Sequence, residues 1–310
     1  MSVDWVLAVL GTAITAGTPL LYAALGEILT ERSGILNLGV EGMMLVGAVA
    51  GFAVALKTGN PWPGVLAATA AGGAMALIHA LLTISLKANQ VASGLALTLF
   101  GTGLSAYLGK PLVGNPLPCS FKALDIPVLG DIPVLGPVIF GHDALVFLSY
   151  VLVPVLWFLI YRTRAGLNLR AIGENPGAAD ALGVNVLGLR YFYVIIGGML
   201  AGIGGAYISL AYVPTWMENL VAGRGWIAVA LVIFATWNPV YALIGAYIFG
   251  GVDALGFRLQ ALDVAVSPYF LKMLPYLFTV MVLIVVTRKN ALARVGAPQA
   301  LGLPYDREER

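Results

Sequence analysis

The chain has 310 residues, 60% of them hydrophobic and 10% charged, with a mean hydropathy of +0.92. A soluble domain of this size cannot hide that much apolar side chain, so the composition excludes a soluble enzyme and predicts an all-α integral membrane protein, a polytopic bundle. Seventeen Lys and Arg against fifteen Asp and Glu give a net charge of +2, with no basic stripe for nucleic acid; the single cysteine, Cys119, excludes an intrachain disulfide and a cysteine-built metal site.

A transmembrane helix needs roughly 20 apolar residues. Nine candidates follow in order, near 5–25, 35–56, 63–86, 91–108, 143–161, 191–212, 217–236, 239–257 and 269–287. The first is preceded by Asp4 and by no Lys or Arg, which predicts a retained span rather than a cleaved signal peptide. The second opens unusually, on "GEILTERSGILNLGVEGMMLVGA" at 26–48, with Asn37 and Glu41 among glycines and leucines. An ionisable group inside a span costs a few kcal/mol unless it faces protein or water. If the helix starts near Ser33 to Gly34, Glu41 lies roughly 10 Å inside the membrane, with Asn37 one turn earlier on the same face. Two roles stay open for Glu41: tying neighbouring helix ends together, or facing the path of a solute.

Gly47 with Gly51, and Gly198 with Gly202, place pairs of side-chain-free positions on one helix face and predict close helix approach. The third span carries His79 and the fourth Thr98, with Gln90 in the turn just before the fourth. His79 reads first as a hydrogen-bonded packing residue. Between 109 and 142, six prolines and the repeat "DIPVLG" at 125–130 and 131–136 predict a long non-helical connector.

The loop 162–190 contains a short helix signal. Asn175 can cap, Pro176 suits the first helical position, Ala178, Ala179, Ala181 and Leu182 favour helix, and Gly183 can close the end. Two turns are too few to stand alone. A helix docked on a partner and a solvated linker both fit. In the seventh candidate, Glu218 and Arg224 interrupt the apolar run, and Trp226 to Ala235 is too short to cross, which predicts a broken or re-entrant segment.

Lys and Arg beside the spans set orientation. Arg162, Arg164, Arg170 and Arg190, and again Arg288, Lys289 and Arg294, predict a cytoplasmic 162–190 loop and a cytoplasmic 288–310 tail. Counting back puts 109–142 and the amino terminus outside. Catalytic chemistry finds no support: His79 and His142 are the two histidines, no HExxH is present, and "GLSAYLGKP" at 103–111 fails the phosphate-loop spacing. No cofactor is expected.

Three separated motifs, "ERSGILNLGVEGMMLVGA" (31–48), "KANQVASGLAL" (87–97) and "GLNLRAIGENPGAADALGV" (166–184), together resemble the permease subunit of bacterial ABC importers in the branched-chain amino acid and simple sugar permease superfamily. They look closest to the nucleoside-importing branch, which uses a basic membrane lipoprotein as binding protein. The likeness includes "AGIGGAYISLAY" (201–212) and "NPVYALIGAYIFGG" (238–251) and spans nearly the whole chain apart from 109–142 and the tail. Ribose-type relatives usually carry one more amino-terminal span, consistent with an outside amino terminus here.

The resemblance implies one permease domain over 1–310 in a bacterial inner membrane. It implies ATP-binding subunits, a second related permease and an extracytoplasmic lipoprotein as partners, besides membrane lipids, and hydrolysis in a separate subunit. The stretch matching Arg170 to Gly183 would be the coupling helix, with Glu174, Asn175, Pro176, Ala179 and Asp180 as contacts and Leu182 at its end. The stretch matching Asn37 to Gly42 would border the pathway, and a neutral hydrogen-bonding solute adds Glu41, His79, Gln90, Thr98 and Trp226 as candidates. A nucleoside is the expected solute, a simple sugar or riboflavin-like compound the alternative. An ion-coupled secondary carrier, with Glu41 and Asp253 as its carboxylates, is a further one.

Overall fold

A computed structural model describes residues 3–124, 126–127, 129–130, 132–261, 268–288 and 296–306. Lys289 and Arg294, used above for orientation, lie outside these residues, as does the side chain of Arg288.

Among the described residues the chain is all helical, without strands: α1 (Val3–Arg32), α2 (Val40–Thr58), α3 (Pro61–Ala80), α4 (Gln90–Gly109), α5 (Ala144–Arg162), α6 (Arg164–Glu174), α7 (Pro176–Ala181), α8 (Val186–Tyr207), α9 (Arg224–Phe234), α10 (Pro239–Ala261) and α11 (Pro268–Arg288). Single π-helical turns, Leu81–Ser85 and Ile208–Tyr212, prolong α3 and α8. Seven of these segments are long and apolar enough to cross a membrane, namely α1 to α5, α8 and α10. With the 21-residue α11 and the 11-residue α9, every candidate from hydropathy coincides with an apolar helix.

The helix starts have a local cause. Asn60, Asn89, Asp143, Thr163, Asn175 and Asn185 each accept a backbone N–H of the following first turn, at 2.9–3.1 Å, as side-chain N-caps. The start of α2 has no such cap and differs from expectation. It begins at Val40, not near Ser33, so Asn37 is not on a helix at all. Residues 33–39 run irregularly between α1 and α2.

The core is built where α1, α2, α3 and α8 cross, with α9 and α10 laid along α1. Glycine permits the crossing: a Cβ on Gly47 would stand 2.6 Å from the Gly202 backbone, and one on Gly205 would overlap the Met44 carbonyl oxygen. The Gly47/Gly202 contact realises the close approach read from the sequence. Gly205→Val is therefore expected to cost about 3 kcal/mol or more, because the obstacle is backbone and cannot rotate away. The yield of monodisperse protein in detergent measures this, with Gly103→Val, at an open position, as the tolerated control.

One end of the bundle carries the α6–α7 loop, the 85–90 turn, Trp237 and residues 296–306. The opposite end carries the 109–142 connector. There Phe121 N–H bonds Leu210 O at 3.0 Å, and Cys119 meets Gly59. The two hexapeptide repeats make the same closing bond: Gly130 N–H bonds Ile126 O and Gly136 N–H bonds Ile132 O, at 2.9 and 2.8 Å. Contrary to a wholly non-helical connector, Gly136–Phe140 makes one π-helical turn packed on α1, with Pro137 at its start, where no N–H is needed.

Candidate functional site

The seventh apolar segment is a broken span. After α8 and its π turn the chain runs irregularly through 213–223 and becomes helical only at Arg224. Eleven residues of α9 cover about 16 Å, roughly half of a 30 Å hydrocarbon core. Its far end reaches Trp237, whose indole Nε1 donates to Glu31 at the α6–α7 end of the bundle. The first turn of α9 therefore lies about 16 Å in from that end of the bundle.

Glu41 holds that turn. Its Oε1 accepts the Gly223 N–H at 2.8 Å and its Oε2 accepts the Gly225 N–H at 2.6 Å. Glu41 itself sits in the first turn of α2, so one carboxylate lies at the N-termini of two helices and offsets the positive end of both dipoles. Gly225 is required, since its Cβ would stand 2.5 Å from the Glu41 backbone; Gly223 is required by its φ of 83°. Of the two roles open in sequence, the geometry realises the tying of helix ends. The depth of Glu41 comes from the irregular 33–39 chain and not from two turns of helix.

Arg224, in the same turn, donates to Asp253 Oδ2 at 3.2 Å and lies over the Tyr212 ring. Asp253 thus sits inside α10, about two turns from its end, with a partner. Tyr276 of α11 donates to Ala222 O at 2.8 Å.

The other polar residues singled out in sequence converge on residues 33–39. Leu36 N–H donates to Gln90 Oε1 at 2.7 Å, and Leu36 O accepts from His79 Nε2 at 3.1 Å. That fixes the His79 tautomer, leaving Nδ1 to accept from Ser93 Oγ at 3.0 Å. Asn37 N–H donates to Glu27 Oε1 at 3.1 Å, the Asn37 side chain accepts the Gly39 N–H at 2.9 Å, and Thr98 Oγ1 donates to Leu38 O at 2.9 Å. Asn37, His79, Gln90 and Thr98 are all buried. They satisfy backbone groups that an irregular chain at membrane depth would leave orphaned. Trp226 differs: it is 37% exposed, on the first turn of α9.

Residues that polarity alone did not single out lie beside it. Met217, Glu218, Asn219 and Ala222 are exposed along the descending 213–223 segment, while Trp216, Leu220 and Val221 anchor it in the core. A charge inside an apolar run too short to cross is the signal that marks this segment.

At the α6–α7 end, α7 forms as its residues dictate. Asn175 Oδ1 caps Ala178 N–H at 2.9 Å, Pro176 opens the helix, and Gly183 follows it at φ 84°. Glu174, Asn175 and Gly183 are exposed, and Leu182 is 86% exposed, more than any other large apolar side chain among the described residues. Asp180 and Pro176 are partly exposed. Ala179 points the other way, buried against Ile172 and Val186, and Arg170 turns its guanidinium over the Tyr161 ring. Ala179 is thus the seat of α7, not part of its outer face.

Residues 9–287 match the family described as branched-chain amino acid transport system / permease component. The chain belongs to this family. The permease is 44% identical to the putative glucose ABC transporter permease TsgC13 of Haloferax volcanii, over 96% of this chain and 97% of that one. It is 35% identical to the guanosine permease NupQ of Bacillus subtilis, over 94% of each, and 33% identical to the nucleoside permease NupC of Lactococcus lactis, over 93% of each. No solved structure matches. The permease is a multi-pass transport component of an ABC system, not a catalytic one, and such components work with ATPase partners.

Proposed function

We propose that this permease forms, with a second related permease, an import path for a neutral nucleoside, driven by ATPases that grip α7. The single observation that supports this most is the pairing of two features in one fold: a protruding apolar knob, Leu182, and a broken span. The knob fits a cleft in a cytoplasmic protein. Irregular backbone in a membrane is tolerated where it is covered by protein or lines a water-filled cavity, and the exposed strip Met217, Glu218, Asn219, Ala222 and Trp226 suits such a lining. It offers hydrogen-bonding groups and an aromatic face, matching a base attached to a sugar.

Orientation follows the basic residues: α7 and the tail in the cytoplasm, the 109–142 connector and the amino terminus outside. An external lipoprotein receptor would hand over the solute at the connector end, and nucleotide-driven closure of the ATPases would rock α7 as a rigid body. Glu174, Asn175, Pro176, Asp180, Leu182 and Gly183 form the gripped surface, with Arg170 and Ala179 behind it.

A monosaccharide is the second reading, favoured by the 44% identity to TsgC13. Proteoliposomes holding the complete transporter and its receptor separate the two. Labelled guanosine is expected to accumulate in an ATP-dependent way at least tenfold above the level without ATP, and excess unlabelled glucose is expected not to compete. Glucose accumulation without guanosine accumulation would establish the second reading. Accumulation driven by a proton gradient without ATP would overturn both.

A further inference from the structure

Residues 296–306 lie across the α6–α7 end and touch several separate elements. Gly296 O accepts from Arg32 Nη1 of α1 at 3.3 Å. Ala300 N–H donates to Gly173 O, in the last turn of α6, at 2.9 Å, and Pro298 lies 3.2 Å from where a Gly173 Cβ would stand. Gly302 N–H donates to Gly34 O at 3.3 Å, at the start of the irregular 33–39 stretch. Tyr305 packs against the cluster of Ile172, Ala179 and Val186 beneath α7, and its ring faces the Arg190 guanidinium 5.8 Å away. Asp306 pairs with Lys87 of the α3–α4 turn.

Arg190 completes the link. It is buried, its Nε donates to Ser33 O at 3.1 Å, and its Nη2 lies 2.8 Å from where a Cβ of residue 34 would stand. A continuous set of contacts therefore runs from α7 through Tyr305 and Arg190 to residues 33 and 34. The irregular stretch then leads to Glu41, which holds the first turn of α9. α7 also packs on α8, which carries Arg190, and Gly173 of α6 meets the Arg32 backbone directly; the tail adds a bridge that spans the α7 seat, Arg190 and Gly34 together.

We infer that residues 296–306 are a strap that transmits displacement of α7 to the break before α9, and that Tyr305 is its positioning residue. The inference rests on the reading of α7 as the gripped helix. Packed side chains and hydrogen bonds that join rigid elements are a physical carrier of such coupling, and α6–α7 and α2 are the rigid elements at its two ends.

The test is made on the whole transporter in proteoliposomes, with the solute that the wild type accumulates, reading solute moved per ATP hydrolysed. Tyr305→Ala removes the ring from Arg190 and from the α7 seat; the expected result is unchanged co-purification of the ATPase, continued hydrolysis and at least a fivefold fall in that ratio. Tyr305→Phe keeps the ring and is expected to restore the ratio to within twofold of wild type. A purely structural role would lower uptake and hydrolysis together and leave the ratio unmoved, which would overturn the strap. Loss of the ATPase from Tyr305→Ala would also overturn it, by assigning Tyr305 to the grip itself. The reading of α7 is judged separately by Leu182→Asp, which leaves the strap contacts intact: retention of the ATPase by that variant counts against the grip and removes the premise of the strap, whereas release of the ATPase there with an unmoved ratio in Tyr305→Ala overturns the strap alone.

Discussion

Glu41→Ala is expected to abolish uptake, by fiftyfold or more, and to lower the unfolding temperature of the detergent-solubilised permease. The carboxylate accepts the N–H groups of Gly223 and Gly225 and is itself buried among the crossing helices. Each orphaned buried donor costs about 1–3 kcal/mol. Loss of the negative charge between two helix N-termini adds roughly 0.3–1 kcal/mol for each. Glu41→Gln is expected to be intermediate, since one carboxamide oxygen can still serve one N–H while its NH2 group faces the other. Hydrogen exchange at residues 223–226 is the second readout. It should rise in Glu41→Ala and stay low in a control such as Thr58→Ala at the exposed end of α2. Unchanged exchange and uptake within twofold of wild type would contradict the role given to Glu41.

The second large effect concerns α7. Leu182→Asp is expected to release the ATPase subunits, with co-purification reduced at least tenfold while the membrane part stays folded. The side chain makes little contact within the permease, being 86% exposed, so its replacement costs the fold little. A carboxylate placed in an apolar cleft of a partner would carry an unpaired buried charge, worth several kcal/mol. Glu174→Arg, at an exposed position in the same loop, is expected to weaken the association more mildly, because a rim charge chiefly alters association rate and salt dependence. Ala179→Leu separates seat from grip. It is expected to destabilise α7 itself, since Ala179 is buried against Ile172 and Val186.

The spans were legible because hydropathy over 18 or more residues reflects a single strong term, the removal of apolar surface from water. The break in the seventh was legible for the converse reason: Glu218 and Arg224 left too short a run between Trp226 and Ala235. The short helix α7 was legible from cap chemistry, Asn175, Pro176 and Gly183 being local signals that need no tertiary context. What sequence did not yield was direction. Asn37, His79, Gln90 and Thr98 stood out as polar groups in apolar spans, and polarity alone does not say whether a group serves a solute or a neighbouring backbone. Here it serves the 33–39 backbone, which becomes visible only once α2 is seen to begin at Val40. Ala179 is a similar case: a six-residue helix is too short for its periodicity to tell the inner face from the outer one. The 296–306 strap carries no periodic pattern, and its contacts are with residues far away in the chain.

The central claim is that α7 lies on the cytoplasmic side and is gripped there by the ATPase. The permease has one native cysteine, Cys119, which simplifies its test. In a Cys119→Ser background, a cysteine introduced at position 182 is exposed to a membrane-impermeant maleimide, first in intact cells and then in inverted vesicles with and without bound ATPase. Labelling in inverted vesicles alone, with at least tenfold protection by the bound ATPase, is the predicted result. Labelling in intact cells, or labelling of inverted vesicles that the ATPase does not slow, would contradict the account.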